Sequence, residues 1–290
     1  MDTTTKAIAT PGRFISFLNW LRSDLRAALS LGYLLLLVIV SVAAPLIATH
    51  SPIAQTPDYL APADATYLLG TDDLGRDVFS RVIYGTPMSL IASFTAVGVG
   101  LAIGLPFGMM AGYMGGWVDI VISRVIDTLL SFPGIVLAVA VTGALGIGLT
   151  NAMIAVGIVF APNIARLIRI QTIVVKNQLY VDAARSFGMP VHRIILRHVV
   201  PNAIQPVIVQ VTVMLAGALL AEASLSFLGL GVQPPWPSWG QMLARGYTYM
   251  EIAPEQMYVP GIAILLTALA YNGLGESLRA RLDPTRRAGR

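Results

Sequence analysis

Runs of about 20 apolar residues, almost free of charged side chains, recur along this chain of 290 residues and limit what it can fold into. A helix of that length crosses the roughly 30 Å of hydrocarbon in a bilayer. A helix also pairs its own backbone groups, as lipid requires. Hydrophobic residues make up 56% of the chain and charged residues 12%, which does not fit a soluble domain. The sequence therefore predicts an all-α integral membrane protein.

We predict six transmembrane helices from these runs. Two of the segments between them are interpreted as non-helical: residues 113–124 as a short turn, and residues 224–256 as a loop, because the three prolines in its centre forbid a regular helix there. The predicted spans are 31–48, 88–112, 125–145, 152–173, 204–223 and 259–274.

Positively charged residues are distributed unevenly around these spans, and the distribution predicts the orientation. Six spans place both termini on one side of the membrane. If that side is the cytoplasm, every Lys and Arg lies inside except Arg76, Arg81 and Arg245. Lys and Arg concentrate in the cytoplasmic segments of membrane proteins. We therefore expect cytoplasmic termini and an extracytoplasmic segment at 49–86, and membrane topology explains the net charge of +4 better than nucleic-acid binding does.

The stretch 180–201, between the fourth and fifth spans, is polar and basic where its neighbours are apolar. Asp182, Arg185 and Ser186 fall on one side of its first helix, and Gly188 is a natural C-terminal cap for that helix. Four side chains at helical spacing form a narrow apolar face on the other side. They are Tyr180, Ala183, Ala184 and Phe187.

The second half of this stretch carries another helical stripe, from Val191 to His198, which Pro201 is expected to end. The whole stretch thus predicts two short helices joined by a turn. It is too polar to cross lipid and too regularly patterned for an irregular loop. We interpret it as a docking element on the cytoplasmic face.

Glycines repeat every four residues in the second span, at Gly100, Gly104, Gly108 and Gly112. They line one face of a helix, where the backbone of another helix can approach closely. Glu222, in the fifth span, has two interpretations. It is either a gate that contacts substrate or a hydrogen-bond anchor between the helix and the outer loop, and we favour the anchor.

An acidic turn precedes the second span and contains Asp72, Asp73 and Asp77 beside Arg76 and Arg81. Three carboxylates so close together could bind a metal ion. Aspartates in turns more often cap helices and pair with neighbouring arginines. We therefore interpret the turn as structural.

The chain lacks the groups that catalysis or nucleotide binding requires. Its two lysines do not follow a glycine, as the lysine of a Walker-type phosphate loop does. Its three histidines have no zinc-hydrolase spacing, no serine lies in a GxSxG elbow, and cysteine is absent. The sequence predicts no catalytic site, cofactor-binding site or metal site.

The polar stretch resembles the EAA loop of ABC-importer permease subunits. In that pattern Glu-Ala-Ala, three residues, Gly and nine residues precede Ile-x-Leu-Pro. Ala183, Ala184, Gly188 and Pro201 match in register, and Asp182 replaces the Glu. His and Val replace the Ile and Leu. Three further segments, in order, are similar to the C-type permease subunit of the dipeptide/oligopeptide/nickel group. They read LGTDDLGRDVFSRVIYG, AGYMGGWVD and AEASLSFLGLGVQPPWPSWG.

The resemblance implies a type I ABC importer permease in the plasma membrane of a prokaryote, with six transmembrane helices and a cytoplasmic coupling-helix loop. A second homologous permease would complete the translocation pathway for a peptide. Two ATPase subunits would bind ATP and Mg, and an extracytoplasmic substrate-binding protein would deliver the peptide. The residues that couple to the ATPase would be Tyr180, Asp182, Ala183, Ala184, Arg185, Ser186, Phe187 and Gly188.

The predicted organisation has four parts. They are a cytoplasmic tail with an interfacial helix at 1–30, a first span and extracytoplasmic loop at 31–87, a permease core of five spans at 88–278 with its coupling loop at 176–201, and a basic cytoplasmic tail at 279–290. The expected function is peptide import driven by partner ATPases, with no enzymatic activity in this chain. Two alternatives stay open: a permease for nickel or another small solute, and a secondary carrier that needs no ATPase.

Overall fold

The computed structural model describes residues 13–282, and the regular structure in that range is helical, as predicted. Lys6 and the predicted tail residues 283–290 lie outside the described residues. In chain order the helices are α1 (Arg13–Ser23), α2 (Leu25–Ile47), α3 (Val78–Met114), α4 (Gly116–Leu130), α5 (Gly134–Leu145), α6 (Leu149–Lys176), α7 (Leu179–Ser186), α8 (Val191–Ile194), a π-helix (Ile195–Val199), α9 (Val200–Ala203), α10 (Gln205–Phe227), α11 (Trp239–Thr248) and α12 (Glu255–Leu282).

Five of the described helices are long and apolar enough to cross a membrane: α2, α3, α6, α10 and α12. α4 and α5 meet the same criterion only together, and they are bent by 96° at the break between them. The number of spans is therefore six if the bent pair crosses the membrane once. The directions of α3 and α6, which precede and follow the bent pair, show whether it crosses the membrane.

α3 and α6 pack side by side and run in the same direction. Gly100 lies against Gly157, and Gly112, further along α3, lies against Arg169, further along α6. Because both helices end at the same face, the chain between them must return to the opposite face. The bent pair is that return segment, so residues 13–282 contain the six spans that the sequence predicts.

The bent pair runs antiparallel to α6, and its contacts with α6 follow in reverse order. They are Asp119 with Arg169, Asp127 with Arg166, Gly134 with Val159, and Leu145 with Asn151.

The glycine stripe of α3 allows this close packing, as the sequence predicts. A Cβ atom on Gly104 would lie 2.7 Å from the carbonyl oxygen of Ala161, and one on Gly108 would lie 2.3 Å from that of Ala165. Real Cβ atoms do not approach so closely, so the two backbones are in direct contact there. Without the glycines α3 and α6 would have to separate.

The ends of the helices form two distinct faces. On one face Arg26 of α2 pairs with Glu276 of α12 at 3.4 Å, and α7 lies beside the C-terminal end of α6. On the other face Asp73 pairs with Arg245 at 2.5 Å. Of the Lys and Arg that the sequence assigns to the cytoplasm, those at the start of α2, from Lys176 to Arg197 and at the end of α12 lie on the first face, whereas Arg124 and Arg166 lie further from it, along α4 and α6. Arg76, Arg81 and Arg245 lie on the second.

Most spans extend further than the apolar runs that predicted them. α3 begins at Val78 rather than at 88, because Asp77 caps it by accepting a hydrogen bond from the Ser80 backbone N–H at 2.9 Å. Its first turns contact the segment between α2 and α3, where Arg81 donates to the Pro52 carbonyl and Ser80 accepts from the His50 backbone N–H. α2 likewise begins at Leu25, where Asp24 accepts from the backbone N–H groups of the first turn. Charged side chains in these first turns, Arg26 in α2 and Arg81 in α3, lower the local hydropathy, so the apolar run begins later than the helix.

Two predictions of non-helical structure are wrong. Residues 113–124 contain the first part of α4, which starts directly after Gly115, a residue with a φ of +69°. Residues 224–256 contain α11, which starts after the prolines, where Ser238 accepts a hydrogen bond from the Gln241 backbone N–H at 3.1 Å. In both places the residues that break one helix lie immediately before the start of the next.

The prediction that Pro201 ends a helix is also wrong. Pro201 lies in the first turn of α9, and the chain continues without a break from α8 through the π-helix into α9, which a bend at Ile204 separates from α10. Proline has no N–H to donate to a residue one turn earlier. The wider π turn directly before Pro201 accommodates it, which is a common role of such turns.

Candidate functional site

α7 is a helix of eight residues that lies across the end of the bundle, and one of its faces holds it there. Val181 is fully buried and Ala184 is 7% exposed. Both join the apolar core cluster together with Val175 of α6, Ile194 of α8 and Val199 of the π-helix. α7 is therefore seated on the chain's own helices by two small side chains.

The C-terminal end of α7 forms a Schellman motif. Gly188 has a φ of +72° and donates its backbone N–H to the carbonyl oxygen of Arg185 at 2.9 Å. Met189 donates to the carbonyl oxygen of Ala184 at 3.1 Å. This pair of bonds requires a left-handed residue at the position of Gly188. The cap that the sequence predicts is present, and it turns the chain sharply towards α8.

The opposite face of α7 carries large apolar side chains that the described chain leaves uncovered. Leu179 is 87% exposed and Phe187 is 89% exposed. Tyr180 is 44% exposed, and Ala183 between them is also exposed. Side chains of this size are expensive to leave in water, at about 1.5–3 kcal/mol each. We name this set, Leu179, Tyr180, Ala183 and Phe187, the docking face.

Charged groups fix the rim of the docking face. Arg185 pairs with Asp182 at 3.0 Å, and its guanidinium lies 5.9 Å from the ring centroid of Tyr113 at the end of α3. The ring of Tyr180 lies 6.2 Å from that of His198 in the π-helix. Arg185 at the rim thus contacts the end of α3, and Tyr180 within the docking face contacts the π-helix.

The bundle end beneath α7 is tied together by hydrogen bonds between α3, α4 and α6. The Lys176 ammonium donates to the carbonyl oxygens of Gly112 and Tyr113, each at 3.1 Å. Arg169 makes a two-bond contact to Asp119, at 2.5 and 2.7 Å. A force applied to α7 would thus act on α3, α4 and α6 together.

The predicted coupling residues lie together on α7 and its cap, but they do not all face outward. Seven of them are exposed: Tyr180, Asp182, Ala183, Arg185, Ser186, Phe187 and Gly188. Ala184 points inward. The predicted apolar face thus combined an inner residue with outer ones. The sequence analysis missed Leu179 and Val181. These two apolar residues lie on different sides of the short helix, and their positions in the sequence would have indicated a helix with two apolar faces.

Glu222 lies on the other face of the molecule and is fully buried. Its Oε1 accepts hydrogen bonds from Ser226 at 2.9 Å and from Ser238 at 2.8 Å. Ser238 is the N-cap of α11, and the next residue, Trp239, is 1% exposed and donates its ring N–H to the Val82 carbonyl at 3.1 Å. This geometry joins α10, α11 and α3, as an anchor would.

The acidic turn before α3 is a buried ion-pair network. The Asp72 carboxylate contacts Arg76 at 2.7 Å and Arg81 at 3.3 Å, and both arginines are 1% exposed. Arg81 also donates to the Pro52 carbonyl at 2.8 Å. Together with the cap at Asp77, these contacts confirm the structural interpretation of the turn. The network fastens the segment between α2 and α3, residues 48–77, to α3 and α11.

The sequence of the chain matches that of a known family over most of its helical core. Residues 104–288 match the family described as "Binding-protein-dependent transport system inner membrane component". The chain belongs to this family. It is therefore a transmembrane permease subunit, and the resemblance drawn from the EAA-like loop is confirmed.

Relatives of the permease with curated names extend the match towards the N-terminus. The glutathione transport system permease protein GsiD of Pectobacterium atrosepticum is 42% identical over 96% of this chain and 93% of its own length. The dipeptide transport system permease protein DppC of Alkalihalophilus pseudofirmus is 39% identical over 85% of this chain and 82% of its own. The GsiD protein of Shigella flexneri is 50% identical over 74% of this chain and 71% of its own length.

Solved structures show that the permease shares its fold with ABC transporter membrane subunits. An inward-facing form of the MetNI methionine ABC transporter matches with a TM-score of 0.57 at 22% identity, over 69% of the permease and 96% of that chain. An amino acid ABC transporter crystallised with histidines matches with a TM-score of 0.53 at 19% identity, over 71% of the permease and 94% of that chain. At these identities the match concerns the fold alone.

Proposed function

We propose that the permease imports short peptides, powered by ATPase subunits that bind at its docking face. Two of its relatives are named for the transport of dipeptides and of glutathione, which is itself a peptide of three residues. Their identities to this chain are 39% and 42% over most of its length. The shared substrate class of these relatives supports a short peptide as the cargo.

The observation that carries the coupling role is the docking face itself. Phe187 and Leu179 are almost fully exposed on a helix whose other face is buried in the bundle. An apolar patch of this kind, with charged groups at its rim, is typical of a protein interaction site. We infer that α7 lies in a groove of an ATPase subunit and that Phe187 is its main apolar contact.

The energy source lies outside this chain. The sequence has no Walker-type phosphate loop, and this supports placing ATP and Mg in two partner ATPase subunits and no catalytic step in the permease. A second homologous permease would complete the pathway. A substrate-binding protein would deliver peptide at the face that carries Glu222. With α7 and both chain termini on the cytoplasmic side, the distribution of Lys and Arg obeys the positive-inside rule.

Coupling follows from how α7 is connected. α6 enters α7 through a two-residue link, and α8, the π-helix and α9 lead from it into α10. α6 is packed on α3 along its glycine stripe, so the two helices move as one body. When nucleotide draws the ATPases together, α7 would move with them and tilt α3, α6 and α10. Such rigid-body motion exposes the pathway to alternate sides of the membrane.

The experiment that tests this function uses the whole complex: both permeases and both ATPases in lipid nanodiscs, with the binding protein added. We expect the ATPase rate to rise several-fold when the binding protein is loaded with a dipeptide. Proteoliposomes should accumulate the dipeptide only when ATP is present on the side of the ATPases. Accumulation driven by a proton gradient without ATP would contradict the proposal.

A further inference from the structure

A polar strip on α4 faces outward at membrane depth, and neither the coupling role nor the anchor uses it. Four of its side chains are spaced by three and four residues, so they share one side of the helix. All four are exposed. They are Arg124, Asp127, Thr128 and Ser131.

α6 adds two polar side chains beside this strip. Arg166 pairs with Asp127 at 2.7 Å, and about half of each side chain is exposed, 51% and 58%. Asn163, almost one turn before Arg166, is exposed as well. An ion pair that is half exposed on spanning helices faces either lipid or water. Charged side chains within spans face cavities and not lipid.

The depth of these groups follows from α6. Gly134, the first residue of α5, lies against Val159, which is about 15 Å along α6 from Leu149 at 1.5 Å per residue. With Leu149 taken as one edge of the hydrocarbon core, which is about 30 Å thick, the break between α4 and α5 lies near half depth. Asn163 and Arg166 lie about 21 and 26 Å from Leu149, still within the core.

The break itself needs cover by protein or contact with water. Ser131, Phe132 and Pro133 interrupt the helix and are exposed. Pro133 is the N-cap of α5 and has no side-chain acceptor for the first N–H groups of that helix. Irregular backbone at this depth is tolerated only where it is covered by protein or lines water. Water beside the break would satisfy this backbone, and it would also solvate the half-exposed ion pair next to it.

We propose that this strip lines the water-filled pathway between the two permeases, and that Arg166 binds the terminal carboxylate of a peptide passing along it. This proposal rests on the proposed function and names a contact within it. In the resting chain Asp127 neutralises Arg166, which lowers the cost of keeping the guanidinium at this depth. The incoming carboxylate replaces Asp127 on the planar guanidinium, which can form two parallel hydrogen bonds. Asp127 is then free to attract the amino terminus.

Single cysteines test whether the strip faces water, because the chain contains no cysteine of its own. Thr128→Cys and Asn163→Cys would be introduced separately into the whole complex in nanodiscs. The matched control is Val42→Cys on α2, at a position that is 80% exposed but lies in an apolar run. A small charged methanethiosulfonate reacts with thiolates, which form in water and not in lipid. We expect both strip cysteines to react at least tenfold faster than the control.

Equal, slow reaction at all three positions in the complex, with fast reaction after denaturation in detergent, would overturn the placement of the strip. That result can be told apart from failure of the proposed function, which would appear as a wild-type complex that imports no dipeptide.

Arg166→Gln tests the carboxylate contact. We expect the maximal rate of alanyl-alanine uptake to fall at least tenfold, because the neutral amide of Gln replaces two parallel charge-assisted hydrogen bonds. Stimulation of the ATPase by the loaded binding protein should stay within twofold, because α7 and the outer face are untouched. Unchanged uptake would show that Arg166 does not bind the peptide carboxylate during transport. A parallel loss of ATPase stimulation would show that Arg166 only supports the fold, and would equally overturn the contact.

Discussion

At the scale of single residues, Gly188 shows how backbone conformation orients a docking helix. Its φ of +72° is a conformation that other residues adopt only with strain, at about 1–2 kcal/mol for a residue with a Cβ. A Cβ atom there would meet nothing within 4 Å. The requirement for glycine is therefore conformational and not steric, which distinguishes this position from the glycines of α3.

We expect Gly188→Val to abolish peptide uptake while the permease remains in the membrane, because a β-branched residue opposes the turn that sets the angle of α7. Gly188→Asn is the matched control, since asparagine tolerates the left-handed region, and it should retain most of the uptake. The measurement compares the two variants in peptide uptake and in the amount of permease found in the membrane. Normal uptake by Gly188→Val would show that the angle of α7 does not matter for transport.

The glycines of α3 offer a test of helix contact. Gly108→Ala places a Cβ atom 2.3 Å from the Ala165 carbonyl oxygen, and overpacking of this kind costs about 1–3 kcal/mol. Gly98→Ala, on the same helix, meets nothing within 4 Å and should be neutral or slightly stabilising. Thermal unfolding of the purified complex should show a lower midpoint for Gly108→Ala only. Similar midpoints for the two variants would mean that α3 and α6 are not in backbone contact.

At the scale of elements, α7 has one apolar face that is exposed, the proposed docking face, and another that is buried against the bundle. The sequence indicated a short helix, its cap and its apolar character. It did not separate Ala183, which is exposed, from Ala184, which is buried. Both are alanines in one motif, and only the three-dimensional position of α6 and α8 decides which of them faces inward.

We expect Ala183→Glu to weaken co-purification of the ATPase subunits at least tenfold, because a carboxylate would be buried in their groove without a partner. The thermal stability of the isolated permeases should change by less than about 0.5 kcal/mol, as for other surface substitutions. Ile252→Glu, at a position that is 74% exposed on the opposite face, should leave co-purification intact. Undiminished ATPase binding by Ala183→Glu would contradict docking through this face.

Local signals predicted the long helices well and the short ones poorly. α11 was missed although Ser238 and Gln241 form the spacing of a capping box, because the three prolines before them dominated the pattern. α4 was missed in part because two adjacent glycines suggested a turn. The contact of Glu222 with Ser238 joins residues on different elements, and no periodicity in the sequence indicates such a pair.

At the scale of the whole molecule, the permease has two faces with separate tasks. The buried ion pairs around Asp72 and the anchor at Glu222 hold together the start of α3, the end of α10 and α11. The opposite ends carry α7 and the contacts beneath it. Since α3 and α6 run in parallel between the two faces, we expect a displacement of α7 to reach the face that carries Glu222 through the length of these helices.

The central claim is that α7 lies in the cytoplasm, where a partner ATPase can reach it. Labelling single cysteines at two exposed positions, Ser186→Cys on α7 and Ala65→Cys in the outer segment, tests it most directly in right-side-out and inside-out vesicles treated with a membrane-impermeant maleimide. We predict that Ser186→Cys is labelled only in inside-out vesicles and Ala65→Cys only in right-side-out vesicles. Labelling of Ser186→Cys from the outside would contradict the coupling role of α7 and the orientation on which it depends.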